Sequence, residues 1–173
     1  MPSTPESIRV GPAHAGHRDF VRRLSAEVFA RFGDYETMLP RLMQSPWVRT
    51  AVAASGEQPV AFAMYSLEEL PHGEIHLTAI AVRPEWQARG VGRALLSHVE
   101  QQARRLAPAG AEAAVCLTVA EDNSRARRVF EAAGFRPVPG EAGAYPAGQR
   151  SLALRKTIPR PGLDSPGPRQ ELD

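Results

Sequence analysis

The sequence predicts a mixed α/β domain, with helices on both sides of a twisted sheet. Along residues 8–156, apolar segments of strand length alternate with segments of helical periodicity, and turns rich in glycine and proline separate them. Residues 113–120 are apolar enough to form a strand inside the sheet rather than at its edge. A chain of 173 residues is long enough for one domain with a sizeable core.

The N-terminal part is predicted to contain a short strand, residues 7–10, followed by two helices. In the first helix, over about residues 17–32, the apolar residues recur at helical spacing: Phe20, Val21, Leu24, Val28 and Phe32. Gly33 is expected to end that helix, and Asp34 is expected to cap a second one that runs to about residue 44.

Three strands are predicted in the middle of the chain. Residues 48–54 and 60–67 are separated by turn residues and suggest a hairpin, and residues 73–82 form the third strand. Trp47, just before the hairpin, is expected to lie in the core.

A glycine loop after the third strand carries the strongest functional signal. It spans residues 87–92 and leads into a helix over residues 93–106. Glycine has no Cβ, so backbone N–H groups can approach an anion closely, and the first amides of a helix have no partner within it. The loop therefore predicts a ligand that carries phosphate groups. A glycine-rich turn that merely opens a helix is the alternative.

The loop is not a Walker A loop and is a poor match to a dinucleotide fingerprint, so a nucleotide-binding enzyme is only a distant third hypothesis. No Gly-Lys-Ser/Thr follows the glycines, as a Walker A loop requires, and Leu95 stands where a dinucleotide fingerprint needs a third small residue.

The following helix is expected to bury one side, formed by Val91, Leu95, Val99 and Leu106. Cys116 lies in the apolar strand 113–120, where a buried and inert thiol is expected.

The last helix is expected to be capped by Asp122 or Asn123 and ended by Gly134. Its apolar side consists of Ala126, Val129, Phe130 and Ala133. A final strand is predicted over about residues 149–156. Residues 1–7 resemble a frayed terminus, and residues 157–173, rich in proline and glycine, a disordered tail.

Composition argues against several classes of protein. The net charge is only +2, which makes no case for nucleic acid. A single cysteine excludes an intrachain disulfide and any metal site built from several cysteines, and no metal is predicted. No run of about 18 apolar residues is present, so neither a membrane span nor secretion is expected, and the chain is predicted to be cytoplasmic.

Two motifs, Gln87 to Gly92 and Asn123 to Phe135, resemble those of the GNAT family of N-acetyltransferases. Gln87 to Gly92 matches the family pattern Gln/Arg-x-x-Gly-x-Gly/Ala, and Asn123 to Phe135 matches Asn-x-x-Ala-x-x-x-Tyr/Phe-x-x-x-Gly-Phe. The second motif begins thirty-one residues after Gly92, with one strand between. The resemblance covers about residues 8–156. It implies the acyl-CoA N-acyltransferase fold, a sheet of about seven strands, and one domain over residues 1–156.

The resemblance also implies a reaction and its substrates. Acetyl-CoA would be the cosubstrate, and its acetyl group would move to a primary amine by direct attack in a ternary complex. The amine would belong to a small molecule or to a peptide or protein N-terminus, and a homodimer is left open. The implied cofactor-binding residues are Ile80, Ala81, Val82, Gln87, Ala88, Arg89, Gly90, Val91, Gly92, Arg93, Asn123 and Phe130. A plain helix cap is the alternative for Asn123, and both roles can coexist.

The chemistry of this reaction calls for a base, an oxyanion donor and an acid. The attacking amine must be neutral, although a lysine amine has a pKa of about 10.4 and an α-amine about 8. A strand amide near Ile80 is best placed to stabilise the oxyanion. Glu74 and His76 lie two apart on one strand face and are candidate bases, with a solvated strand end as the alternative.

The acid is harder to assign. Many family members have tyrosine where this chain has Phe130. Bacterial enzymes that acetylate ribosomal-protein N-termini resemble the chain in its Tyr145-Pro146-x-Gly148 segment, but they have glutamate where Thr118 stands. Tyr145 is the remaining candidate; a packing or substrate-contact role is the alternative for this residue, and water is the alternative proton donor. A non-catalytic acyl-CoA-binding sensor or regulatory module is the competing function.

Overall fold

A computed structural model describes residues 7–160, apart from the side chains of residues 141 and 142. The strands are β1 (Ile8–Pro12), β2 (Val48–Ser55), β3 (Gln58–Ser66), β4 (Glu74–Val82), β5 (Ala114–Ala120), β6 (Arg136–Ala144) and β7 (Arg150–Thr157). The helices are α1 (Arg18–Phe29), α2 (Tyr35–Leu42), α3 (Val91–Leu106) and α4 (Ser124–Ala132). Residues 1–6 of the predicted frayed terminus and 161–173 of the predicted tail lie outside the described residues.

The seven strands form one sheet in the order β1-β2-β3-β4-β5-β7-β6. Only the β4–β5 pair is parallel, and the other neighbours are antiparallel. β5 lies between β4 and β7, as its apolar sequence predicts. The predicted mixed α/β fold with about seven strands is confirmed.

Helices cover both faces of this sheet, because alternate residues of β3 belong to different cores. Phe62 and Met64 pack with α1 and α2, and Ala61 and Ala63 pack with α3 and α4. Within residues 7–160, no helix has the length and apolarity that crossing a bilayer requires.

Local signals in the sequence explain how the helices begin and end. Asp34 Oδ1 accepts from the Thr37 N–H at 3.2 Å and caps α2, as predicted. At the end of α4, Gly134 has φ +97°, its N–H donates to the Glu131 carbonyl, and the Phe135 N–H donates to the Phe130 carbonyl. These two bonds form a Schellman motif, which explains why the helix stops at the predicted glycine.

Three residues expected in the core lie at the surface. Leu106 is 40% exposed, because the buried stripe of α3 continues at four-residue steps through Ala103 to Ala107 and does not include Leu106. Val129 is 50% exposed and lines a cleft instead. Trp47 is 57% exposed: its carbonyl accepts from the Leu67 N–H, which holds the backbone at the strand end while the indole faces solvent.

The C-terminal part of the domain differs from the prediction in two ways. β6 was not predicted; it is an edge strand that pairs only with β7, and its register shifts between Pro137 and Ala142. The fold also continues past residue 156. Thr157 ends β7, and Ile158 is only 2% exposed, with its N–H donating to the Ala113 carbonyl.

Candidate active site

β4 and β5 separate halfway along their length. Their parallel pairing runs from Glu74 opposite Ala114 to Leu77 opposite Leu117 and then stops, although both strands continue. Thr78 is an extra residue in the ladder with β3, because the pairing skips it. Such a β-bulge bends a strand and increases its local twist. A gap therefore opens in the sheet just beyond this bulge.

Backbone groups of β4 face the gap. The Arg83 N–H donates to the Val60 carbonyl of β3 at 2.9 Å. Backbone N–H and C=O groups alternate in direction along an antiparallel strand. The backbone N–H and C=O groups of Val82 and Ile80 must therefore point away from β3. A hydrogen bond supports this orientation: the Val82 carbonyl accepts from Gln87 Nε2 at 3.1 Å on the side away from β3. The Ile80 and Val82 amides thus lie in the gap with no strand neighbour there.

A cleft of about 660 Å³ passes through this gap and has two arms. One arm, here called the glycine arm, is lined by the glycine loop, α3 and α4 and includes Gln87, Ala88, Gly90, Gly92, Arg93, Asn123, Arg125, Arg128, Val129 and Phe130. The other, the aromatic arm, is lined by Val28, Phe29, Phe32, Tyr35 and Tyr145. Since α3 and α1 pack on opposite faces of the sheet, two molecules can reach the gap from opposite sides.

The glycine arm has the geometry of an anion site. Gly90 is the N-cap of α3 with φ +81°, and a Cβ placed there would meet no atom within 4 Å. Ala88 also has a positive φ of 58°, which is uncommon outside glycine. Loop and first-turn amides therefore border open space, where the helix dipole favours negative charge. The residues present fit a diphosphate.

Three arginines add positive charge to this arm: Arg93, Arg125 and Arg128. Within residues 7–160 none of their side chains has an ion-pair or hydrogen-bond partner. By contrast, Arg31 pairs with Asp122 at 3.2 Å, and Arg155 pairs with Glu74 at 2.9 Å. Cations without counter-ions make the arm attractive to a polyanionic ligand.

Asn123 and Phe130 both line the cleft, at opposite ends of α4. Asn123 Oδ1 accepts from the Ala126 N–H at 3.2 Å, so this residue is a helix cap as well as a cleft residue. Phe130 is 7% exposed and packs edge-on against Phe135, with ring centres 5.8 Å apart. Its ring can pack against a ligand but cannot donate a proton.

The aromatic arm brings four rings together. Ring centres are 4.8 Å apart for Phe32 and Tyr145, 5.4 Å for Phe29 and Tyr35, and 6.4 Å for the two tyrosines. The Tyr145 hydroxyl donates to the Thr118 carbonyl at 3.3 Å, next to the last paired residue of β5. Burial raises the pKa of both tyrosines, so both hydroxyls stay protonated at neutral pH.

Tyr145 thus lies at the cleft, and its role as the acid stays a prediction. Tyr35 was not predicted as a site residue. It is the first residue of α2, directly after the Asp34 cap, and such a position gives no functional signal in the sequence.

Glu74 and His76 do not line the cleft. They lie in the part of β4 that is still paired with β5, before the bulge at Thr78. Glu74 instead accepts from Arg155 Nε at 2.9 Å and from the Cys116 thiol at 3.1 Å. Burial raises the pKa of Glu74, but the two hydrogen bonds, together with the nearby charges of Arg155 and His72, outweigh it, and the pKa is lowered. Burial lowers the pKa of His76. Cys116 is half-buried and donates a hydrogen bond, whereas the sequence predicted a buried, inert thiol.

The cleft is also free of acids and imidazoles over the described part of the chain: no Asp, Glu or His lines it. Among residues 7–160, the cleft therefore offers the reacting amine no carboxylate and no imidazole. Backbone amides, two tyrosine hydroxyls and arginines are the polar groups that the site offers.

Comparison with known proteins assigns the family. The model of the Acetyltransferase (GNAT) family matches residues 9–135, well over half of the chain, including both motifs. N-alpha-acetyltransferase 40 of Saccharomyces cerevisiae is 38% identical over 80 residues, which are 43% of this chain and 27% of that protein. The chain thus spans about a quarter of that relative.

Two solved structures resemble the fold. The ribosomal-protein-S18-alanine N-acetyltransferase of Escherichia coli is 18% identical with a TM-score of 0.71, covering 92% of this chain and 99% of that one. Ard1 of Thermoplasma volcanium is 18% identical with a TM-score of 0.73, covering 88% and 99%. Fold, both motifs and the family model agree, and the chain belongs to the GNAT family of acetyltransferases.

Proposed function

We propose that the protein transfers an acetyl group from acetyl-CoA to a primary amine, by direct attack in a complex that holds both substrates. The observation that carries this proposal is the gap between β4 and β5, which opens into the glycine arm on one side and the aromatic arm on the other. Two arms that meet at one gap allow the substrates to react without a covalent enzyme intermediate.

Acetyl-CoA supplies the reactive thioester. The amides of residues 88–93 bind its diphosphate, together with the unpaired arginines of the glycine arm. The Val82 amide pairs with the pantetheine arm in place of a strand neighbour. The Ile80 N–H lies further along β4 from the loop and donates to the thioester oxygen, where negative charge develops during attack.

The amine reacts in its neutral form, after its ammonium form has lost one proton to water. Enclosure among aromatic rings disfavours the ammonium form and so lowers the amine pKa. The amine nitrogen bonds to the acetyl carbon, the carbon–sulfur bond breaks, and the sulfur departs as a thiolate. The Tyr145 hydroxyl, which its raised pKa keeps protonated, donates a proton to that thiolate. The nitrogen loses a second proton as the amide forms, and this proton reaches the tyrosinate through water and restores the tyrosine.

The names of two relatives support an α-amine among the acceptors. One describes acetylation of an alanine of ribosomal protein S18, and the other describes N-alpha-acetylation. A peptide or protein N-terminus therefore belongs beside small amines in any acceptor screen.

Thiol release from acetyl-CoA across a panel of amines tests the proposal. We expect amine-dependent release of free CoA and one acetylated product for each CoA formed. Tight binding of CoA by calorimetry, without turnover of any acceptor, would instead support the competing function of a non-catalytic acyl-CoA-binding module.

A further inference from the structure

We propose that the aromatic arm selects an acceptor with an apolar group next to its primary amine and with no second positive charge. This inference rests on the proposed function, since it concerns the acceptor of that reaction. It is carried by three features of the arm: its rings, its charges and the contacts that fix its width.

The rings give the arm an apolar wall. Phe29, Phe32, Tyr35 and Tyr145 form a chain of ring contacts whose centres are 4.8 to 6.4 Å apart. Val28 adds an aliphatic side chain to the same wall. Aromatic side chains offer large contact areas to an apolar group, and that contact gains free energy when water leaves.

The charges of the arm disfavour a second ammonium. Among the residues described, no carboxylate lines the cleft, and the nearby Asp122 is already paired with Arg31 at 3.2 Å. The Arg31 guanidinium also lies 4.3 Å from the centre of the Phe32 ring and occupies one cation–π position. A buried ammonium without a counter-ion is strongly destabilised, and cation–π contact alone does not offset that penalty.

Contacts between two loops fix the width of the arm. The Ala147 N–H of the β6–β7 turn donates to the Phe32 carbonyl at 3.2 Å, and Gln149 Nε2 donates to the Arg31 carbonyl. A Cβ on Gly33 would lie 3.0 Å from Pro146 Cβ, so the loops are in close contact. These contacts tie the two walls of the arm together and oppose its widening around a hydrated second charge.

A matched pair of acceptors tests the selection. Hexylamine and 1,6-diaminohexane have the same carbon chain, but one ends in a methyl group and the other in a second ammonium. We expect kcat/KM for hexylamine to exceed that for the diamine by at least about tenfold, the discrimination that about 1.4 kcal/mol gives. Equal or better use of the diamine would overturn the inference.

A carboxylate introduced into the wall should reverse the preference. Val28→Glu places an acid in the arm, and Val28→Gln is its uncharged control of nearly the same shape. We expect Val28→Glu to raise the diamine-to-hexylamine ratio of kcat/KM by about tenfold over Val28→Gln. An unchanged ratio would contradict the assignment of this arm to the acceptor.

Binding measurements separate the two proposals. Calorimetry of each amine with the CoA-bound protein reports selection even if no acetyl group moves. Preferential binding of hexylamine without turnover would support the inference and contradict the proposed function. Turnover with a preference for the diamine would support the proposed function and contradict the inference. If hexylamine neither binds nor reacts, the inference is overturned.

Discussion

Replacing Gly90 by valine should weaken binding of acetyl-CoA much more than it weakens the fold. Gly90 has φ +81° and open space around its missing Cβ. The chain offers a matched control in Gly110, which has φ +80°, equally open surroundings and a position beyond the other end of α3. Valine is strained to a similar degree at both sites, by about 1 to 3 kcal/mol.

Only the Gly90 variant should lose affinity. Its side chain would fill the space through which a diphosphate approaches the N-cap of α3. Loss of one hydrogen bond to a charged group costs about 1.5 to 3 kcal/mol, or roughly 10- to 150-fold in Kd.

Calorimetric titration with acetyl-CoA measures the affinity, and thermal unfolding of both variants measures the strain. We expect similar losses of Tm for Gly90→Val and Gly110→Val, and a weaker Kd for Gly90→Val alone. If the two variants bind acetyl-CoA within twofold of each other, the glycine loop does not hold the diphosphate.

Three further predictions concern the chemistry. Tyr145→Phe should lower kcat by about 10²-fold or more with little change in the Kd of acetyl-CoA. The control Tyr35→Phe should leave kcat nearly unchanged. Equal effects of the two variants on kcat would show that Tyr145 is not the acid. With no acid or imidazole lining the described cleft, the midpoint of the rising limb of kcat/KM against pH should shift with the pKa of the acceptor. Burial lowers the pKa of His76 from 6.5, so a midpoint that stays below pH 6.5 for all acceptors would reveal an enzyme base such as His76. Glu74→Gln should leave kcat within about twofold and lower the stability at pH 7 by on the order of 1 kcal/mol, and a tenfold loss of kcat would return Glu74 to the mechanism. Because the folded-state pKa of Glu74 is lowered from 4.5, its contribution is present above that value and lost as pH falls through the folded pKa. The variant should therefore lose less Tm on acidification.

Local signals in the sequence predict much of this fold. The Asp34 cap, the Gly134 stop and the apolar stripe from Val91 to Val99 each depend on residues within a few positions of one another. The glycine loop is equally local, which is why the sequence alone locates the glycine arm. β6 was not predicted, because Pro137, Pro139 and Gly140 are typical of a loop and only the pairing with β7 makes this segment a strand.

The position of catalytic groups depends on features that are not local. The bulge at Thr78 arises from pairing with β3, so the sequence could not show that Glu74 and His76 stop short of the gap. The partner of Glu74, Arg155, is 81 residues away in the chain. Tyr35 likewise becomes a site residue only because the β6–β7 turn brings Tyr145 beside it.

The most direct test of this account is a crystal structure with a bisubstrate analogue, in which CoA is joined through its sulfur to hexylamine. We expect the diphosphate on the amides of residues 88–93, the sulfur in the gap beside Ile80, and the alkyl chain between Phe29 and Tyr145. A sulfur outside the gap, or an alkyl chain that leaves without entering the aromatic arm, would contradict it.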